Sequence, residues 1–453
     1  MHGGEHRLAK ICKPVEGAKF ALLVLFAINF LNFFDRQLMG ALGEPIRKQF
    51  HLSDTALGLL GTVFIVVYAL IGLPLGNLSD KWQRTRLLAI GTTVWSVLTA
   101  ATGMAQSYTQ LFAARLGVGL GEATCAPAAQ SLIGDLFPPR RRAFAMGVFM
   151  LGLPVGGFAA YVSAGWIATH FGWRSVFYIA CIPGLIMALL ALSIREPARG
   201  SFDPGTILMD QSSPPASSFA AVLGLPTMWW IILSGIFHNF NMYAINSFNT
   251  PLLQRYHHMS LGDASNASSI AVGAVGVIGL LAGGYIADRL SAKRRNARLV
   301  LAAACMAVAA PCIFLALNQP PGAIAAYIVL MASGTITMYV YYATVYTAIQ
   351  DVIEPRLRGI AVAIYFCCMY IFGGSLGPVG TGMLSDYFAH RAMLDAGAAE
   401  MTEAFKATGL HNAMYAIPIL AMAAALVLFA ASRTVDKDAR KQELLHDPVP
   451  APG

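Results

Sequence analysis

Gly76-Asn77-Leu78-Ser79-Asp80-Lys81-Trp82-Gln83-Arg84-Thr85-Arg86 lies between two apolar runs, and its pattern returns later as Gly284-Tyr285-Ile286-Ala287-Asp288-Arg289, again between apolar runs and followed by Lys293 and Arg294. The shared form is G-x-x-x-D-[KR] with trailing basic residues. A second echo keeps the same order: Pro139-Arg140-Arg141-Arg142 in the first half is answered by Pro355-Arg356-Leu357-Arg358 in the second. Two echoes in register predict a chain of two similar halves. Parallel repeats of this kind place a substrate site near the membrane midplane where the halves meet.

The runs around these loops are each about 20 residues long, enough to cross a hydrocarbon core. Composition agrees, since 57% of the 453 residues are hydrophobic and only 12% are charged, about half the charged share of an ordinary soluble protein. Apolar runs bounded by Pro, Gly and charge predict helices over 18–43, 55–77, 87–105, 109–134, 143–168 and 174–194, then 224–252, 265–287, 298–317, 322–350, 358–388 and 411–432. The expected fold is therefore an all-α integral membrane protein of 12 transmembrane helices in two six-helix pseudo-symmetric bundles. The expected domains are a tail over 1–17, a bundle over 18–198, a polar linker over 199–223, a second bundle over 224–432 and a tail over 433–453.

Charge sets the expected orientation. With both termini in the cytoplasm, inside segments hold 23 of the 31 Lys and Arg residues, outside loops hold 6, and Arg36 and Arg115 fall within spans; the positive-inside rule favours that arrangement. The net charge of +8 is dispersed among short loops and forms no single stripe, so no nucleic-acid partner is expected. The opening MHGGEHRLAKICKPVEGAKF lacks an apolar core before a small-residue cleavage site, so no removable signal peptide is expected. The cysteines (12, 125, 181, 305, 312, 367 and 368) fall mostly in apolar segments without zinc-type spacing. Neither a metal site nor a cofactor is expected, and the compact form suggests a monomer in a bacterial inner membrane.

These loops resemble the major facilitator superfamily, whose signature G-x-x-x-D-[RK]-x-G-x-[RK]-[RK] the first one follows except for Gln83 at a usual Gly. Phe171-Gly172-Trp173-Arg174-Ser175-Val176-Phe177 also resembles a recurrent family segment, and the likeness runs from about residue 18 to 432. A narrower resemblance, to Spinster-type transporters, rests on Asn32-Phe33-Phe34-Asp35-Arg36 and on Arg115-Leu116-Gly117-Val118-Gly119-Leu120-Gly121-Glu122-Ala123, continuing through Ile133-Gly134-Asp135-Leu136-Phe137-Pro138. That resemblance implies alternating access and an amphiphilic substrate of the sphingosine-1-phosphate or lysolipid type.

Asp35, Arg36, Arg115 and Glu122 fall inside expected spans, where an unpaired charge is costly and usually faces a cavity or a partner. Arg115 and Glu122 are two turns apart on one helix face. One reading has Glu122 and Asp35 exchanging protons while Arg36 and Arg115 stabilise them or attract an anionic head; the other has a permanent ion-pair network tying two helices together. Asp80, Lys81, Arg84, Asp288 and Arg289 read as gating residues of the basic loops, or as topology signals alone. His238, Asn239, Asn241, Tyr243, Asn246 and Asn249, with Tyr339, Tyr341, Tyr342, Thr344, Tyr346 and Thr347, form an uncharged aromatic and amide set, suited to a cavity wall or to interhelical hydrogen bonds. No G-x-x-x-x-G-K-[ST] phosphate loop is present, so transport would run on a gradient, and no H-E-x-x-H or G-x-S-x-G motif supports a lipid-modifying enzyme. Alternatives among carriers are small organic anions or sugar acids, and multidrug export.

Overall fold

The computed structural model describes residues 15–202, 216–292, 294, 296–353 and 357–444. Every regular element among them is helical. Cys12, Lys293, Pro355, Arg356, the outer parts of both tails and the middle of the linker lie outside the described residues.

Two compact units account for the contacts. Unit 1 takes residues 1–52, 59–211 and 261–269, and unit 2 takes 53–58, 212–260 and 270–453. The first half of the chain contributes α1 (Ala18–Ala41), α2 (Gly43–Phe50), α3 (Asp54–Lys81), α4 (Arg84–Met104), α5 (Tyr108–Glu122), α6 (Cys125–Leu136), α7 (Pro139–Met150), α8 (Gly152–Phe171) and α9 (Trp173–Leu192). The second contributes α10 (Ala216–Leu223), α11 (Pro226–Arg255), α12 (Leu261–Ser268), α13 (Val275–Ser291), α14 (Ala297–Leu317), α15 (Ile324–Val352), α16 (Arg358–Cys368), α17 (Leu376–Asp395), α18 (Glu403–Met414) and α19 (Ala416–Leu444). Single π-helical segments, Ser269–Ala274 and Met369–Gly374, join α12 to α13 and lie between α16 and α17.

Local chemistry sets the ends. Pro139 and Pro226 occupy first turns, where a missing amide hydrogen costs nothing. The Ser107 side chain accepts from the Gln110 amide and starts α5. Gly172, at φ 81°, stops α8 and starts α9, a conformation that L side chains rarely adopt.

Several runs expected to be single helices are interrupted: 109–134 breaks at Ala123–Thr124, 143–168 at Leu151, and 265–287 and 358–388 contain the π-helical turns. The run expected at 411–432 is spanned by the end of α18 and most of α19, while α2 is a short helix where a loop was expected. Hydropathy alone does not see such breaks, because broken helices still bury apolar side chains on both sides. Ten described stretches are long and apolar enough to cross a membrane. The other two expected spans are α5–α6, which carries Arg115 and Glu122, and α11, which carries His238 and four asparagines. The break at Ala123–Thr124 leaves α5 and α6 each too short to cross alone, at 15 and 12 residues, and the amides of α11 dilute its apolar character.

Candidate substrate and proton site

Asp35 and Arg36 project from α1, Thr99 from α4, and Arg115 and Glu122 from α5. Unit 1 brings all five together. Arg36 Nε donates to Glu122 Oε2 at 2.9 Å, Thr99 Oγ1 donates to Asp35 Oδ2 at 2.6 Å, and Arg115 Nη1 stands 4.0 Å from Asp35 Oδ1. Asp35, Arg115 and Glu122 are 3%, 1% and 0% exposed. The Arg36 guanidinium also lies over the rings of Tyr68, Phe33 and Phe64, at 4.2, 4.8 and 5.3 Å, and that of Arg115 over Phe64 at 5.0 Å. A planar, weakly hydrated cation suits such a setting better than an ammonium.

Two acids and two bases balance in formal charge, yet the hydrogen bonding is incomplete. Among the described residues, Nε and Nη1 of Arg115 meet no acceptor and Glu122 Oε1 and Asp35 Oδ1 meet no donor, the two carboxyl groups lying within hydrogen-bond reach of one another. Leaving ionised atoms buried in that condition is costly. The backbone explains how α5 comes so near: a Cβ on Gly121 would lie 2.8 Å from Trp95 N and 2.9 Å from Gly91 O, so α5 packs on the α4 main chain. Immediately afterwards the helix breaks, with Thr124 Oγ1 donating to the Gly121 carbonyl at 2.9 Å, and Glu122 is left as the last residue of α5.

The basic loops show a third correspondence between the halves. Arg84, wholly buried, pairs with Asp135 and with Glu196, whose Oε1 accepts from Nε at 2.7 Å. Burial pushes the Glu196 carboxyl up, but hydrogen bonds from Arg84 and Thr85 and the Arg84 charge outweigh it and hold it below the usual carboxylate value. In unit 2, Arg298 pairs with Asp351 and, at 3.3 Å, with Asp288. Asp135 and Asp351 each stand four residues before the proline of a Pro-Arg pair, a spacing that would have revealed both partners in the sequence. Asp80 and Lys81 are exposed at the end of α3 with no ion pair among the described residues, Asp288 has a 78% exposed side chain, and Arg289 lies over the Tyr285 ring at 4.3 Å.

Unit 2 gathers the uncharged set. His238 is fully buried, stacked 4.0 Å from the Tyr341 ring and edge-on to Tyr342 at 4.8 Å, and neither ring nitrogen has a hydrogen-bond partner among the described residues. Asn239 Nδ2 donates to Gly235 O at 3.2 Å and reaches Met369 Sδ at 3.0 Å. Asn241 donates to Ile417 O, Asn249 accepts from Tyr327, and the Thr344 and Thr347 hydroxyls donate to carbonyls of their own helix. Tyr339 is buried, whereas Asn246, Tyr342 and Tyr346 are partly exposed.

Sequence reasoning missed a polar cluster in unit 2. The Arg255 guanidinium donates twice to the Asp54 carboxylate, both bonds 2.8 Å, and Ser385 Oγ adds a third at 2.6 Å. Asp386 accepts from the amides of Asp54 and Thr55 and from the Thr55 hydroxyl, capping α3 from α17. Asp54 and Arg255 fall just outside expected helices and Asp386 near the end of one, and nothing in their spacing joins them.

Comparison with known proteins decides the family. The sequence profile of the Major Facilitator Superfamily matches residues 25–378. The chain belongs to this superfamily. The transporter is 31% identical to an "MFS-type efflux pump" of Mycolicibacterium smegmatis, over 81% of this chain and 84% of the relative. It is 26% identical to the "Probable sphingolipid transporter spinster homolog 1" of Arabidopsis thaliana, covering 80% and 82%. Among solved structures, a bacterial homolog of the human lysosomal transporter Spinster, inward-facing and unoccupied, matches at TM-score 0.81 and 29% identity over 93% of this chain and 98% of that one. The protein is thus a major facilitator that resembles the Spinster transporters, a transporter and not an enzyme, as its motifs implied.

Proposed function

We propose that this facilitator is a proton-coupled secondary transporter that moves amphiphilic, lipid-like substrates of the sphingosine-1-phosphate or lysolipid type by alternating access. The observation that carries the reading is the buried cluster of Asp35, Arg36, Arg115 and Glu122, whose two acids lie within hydrogen-bond reach of one another and each keep an oxygen that meets no donor among the described residues. A carboxylate held dry with one oxygen unsatisfied is a site for a proton, and a proton taken up there changes the charge balance with two fixed guanidinium groups. That change biases a two-state carrier. Arg115, whose Nε and Nη1 meet no acceptor among the described residues, is suited to an anionic head.

The sphingolipid in the Arabidopsis relative's name supports the substrate class; the efflux pump in the mycobacterial relative's name supports multidrug export as the second reading. In either case the transporter works as a monomer among membrane lipids of a bacterial inner membrane, both termini cytoplasmic. The exposed Asp80, Lys81, Asp288 and Arg289 act at the gate, and the buried Arg84 secures the helix ends of its own unit.

The test is uptake into proteoliposomes of a labelled lysolipid or sphingosine-type substrate, with and without an imposed pH gradient. The wild type is expected to respond to the gradient, and Glu122→Gln to lose the response while folding normally. Movement of organic anions but of no amphiphile would remove the lipid substrate; an undiminished gradient response in Glu122→Gln would remove the coupling role.

A further inference from the structure

Five partly exposed rings in unit 2 follow one another at contact distance. Tyr342 meets Tyr346 at 5.6 Å, Tyr346 meets Phe366 at 5.2 Å, Phe366 meets Tyr370 at 6.2 Å, and Tyr370 meets Tyr243 at 6.4 Å. The buried Tyr339 extends the row, 5.9 Å from Tyr342. The rings come from α15, from α16 with its π-helical continuation, and from α11. Stretches 227–254, 324–350 and 359–385, which carry all of them, contain no Asp, Glu, Lys or Arg.

We propose that this aromatic face is a subsite for an organic cation with apolar substituents, of the quaternary ammonium or phosphonium class, held by ring faces instead of a counter-charge. The inference rests on the transporter reading and names the chemistry of one part of the substrate. Aromatic faces carry negative potential, and several rings around a desolvated cation each add to its binding. The absence of fixed charge selects among cations. A compact ammonium is strongly hydrated and its N–H groups need acceptors; a fully substituted nitrogen or phosphorus has no such donors and little hydration to lose.

The surroundings hold the face in place. A Cβ on Gly373 would fall 2.4 Å from Ile236 O, and one on Gly377 2.5 Å from Phe240 O, so the π-helical turn and α17 lie directly on the α11 backbone. The ring of Tyr370 is therefore held between Tyr243 and Phe366 before any ligand arrives, which lowers the ordering cost of binding. His238 beneath Tyr342 brings no acid partner that would supply a counter-charge.

Equilibrium binding to the detergent-solubilised full chain tests this, with tetraphenylphosphonium, decyltrimethylammonium, and the neutral isostere of the latter in which carbon replaces nitrogen. The ammonium is expected to bind about 5- to 30-fold more tightly than its isostere. Tyr342→Phe keeps that ratio, because the hydroxyl is not the contact. Tyr342→Leu collapses it while changing isostere binding little. Should Tyr342→Leu fail to fold by thermal unfolding, difluorophenylalanine at 342 preserves the shape, drains the ring face of charge and is expected to lower the ratio. Equal binding of ammonium and isostere to the wild type, or a ratio untouched by both ring changes, overturns the subsite. Binding is read on the wild type and the position-342 variants at one fixed pH with no gradient imposed, so a failure of proton coupling and a failure of this subsite are separately visible.

Discussion

Arg36 answers two demands at once, pairing with Glu122 and covering three aromatic rings, and the consequences of removing it separate by double substitution. Arg36→Ala leaves Glu122 buried without its ion-pair partner and is expected to cost about 3–5 kcal/mol of stability. Adding Glu122→Gln removes the stranded charge and is expected to restore much of the loss; the interaction energy follows from the four unfolding free energies of the cycle. If the two losses simply add, the pair contributes nothing beyond its separate parts. His257 offers a second residue-level test, outside the spanning helices. It is buried among Tyr256, His258, Tyr327 and the ring of His411, and burial together with His411 and His258 lowers its basicity to a pKa of about 4. An unfolded histidine titrates near 6.5, so between those values the unfolded chain binds a proton that the folded chain refuses. Stability is fully present above about pH 7 and falls on acidification toward pH 4, by up to about 1.4 kcal/mol per pH unit. Thermal unfolding of His257→Gln is expected to show a shallower slope in that window; an unchanged slope would clear this residue. Glu196 has the opposite assignment, since its lowered carboxylate supports the fold above the usual carboxylate value and gives way only at lower pH.

At the scale of the element, the first turn of α3 is fixed by α17 and by the end of α11. A Cβ on Gly382 would come 2.3 Å from Asp54 O, and one on Gly58 2.3 Å from Pro378 O, so the two backbones touch and the side-chain bonds of Asp54, Arg255, Ser385 and Asp386 close around them. Asp54→Asn removes the carboxylate charge that the buried Arg255 grips with two hydrogen bonds, and a destabilisation of about 3–5 kcal/mol is expected, read as a lower midpoint of thermal unfolding. Gly382→Leu forces the backbones apart and is expected to release the α3 turn without touching any charge. A pair of reporters, one on the α3 turn and one on α17, would detect that separation, and an unchanged distance would contradict the packing argument. Elements of this kind show where sequence reading stops. Helices were legible because about 20 apolar residues admit few other structures, and Pro139, Pro226 and Gly172 mark ends by their own backbone preferences. The break after Glu122 was not, since the Thr124 hydroxyl that closes it depends on the packing of α5 against Gly91. Likewise the charges of the candidate site were visible because buried charge is rare in an apolar run, whereas Thr99 was one threonine among many until α4 placed it on Asp35.

At the scale of the whole molecule, the repeat read from two short loops extends to partners the sequence search did not connect. Arg84 with Asp135 and Arg298 with Asp351 form corresponding ion pairs in the two units, although Arg84 follows Asp80 by four residues and Arg298 follows Asp288 by ten; the inserted residues concealed the match. The same loops carry the basic charge from which we infer orientation. With 23 of the 31 Lys and Arg residues in one set of segments and 6 in the other, the set holding Arg140, Arg141 and Arg142 belongs in the cytoplasm. Arg141, in the first turn of α7, and Asn318, just after α14, are both exposed, at ends assigned to opposite faces. In intact cells, a membrane-impermeant maleimide is expected to label Asn318→Cys and to leave Arg141→Cys unlabelled, while inside-out vesicles reverse the pattern. The unmodified chain sets the background, and its described cysteines are all buried or partly buried. Labelling of Arg141→Cys from outside would invert the orientation, and with it the side from which Asp80, Lys81, Asp288 and Arg289 meet the aqueous phase, so the gate would have to be sought at the opposite ends of the helices.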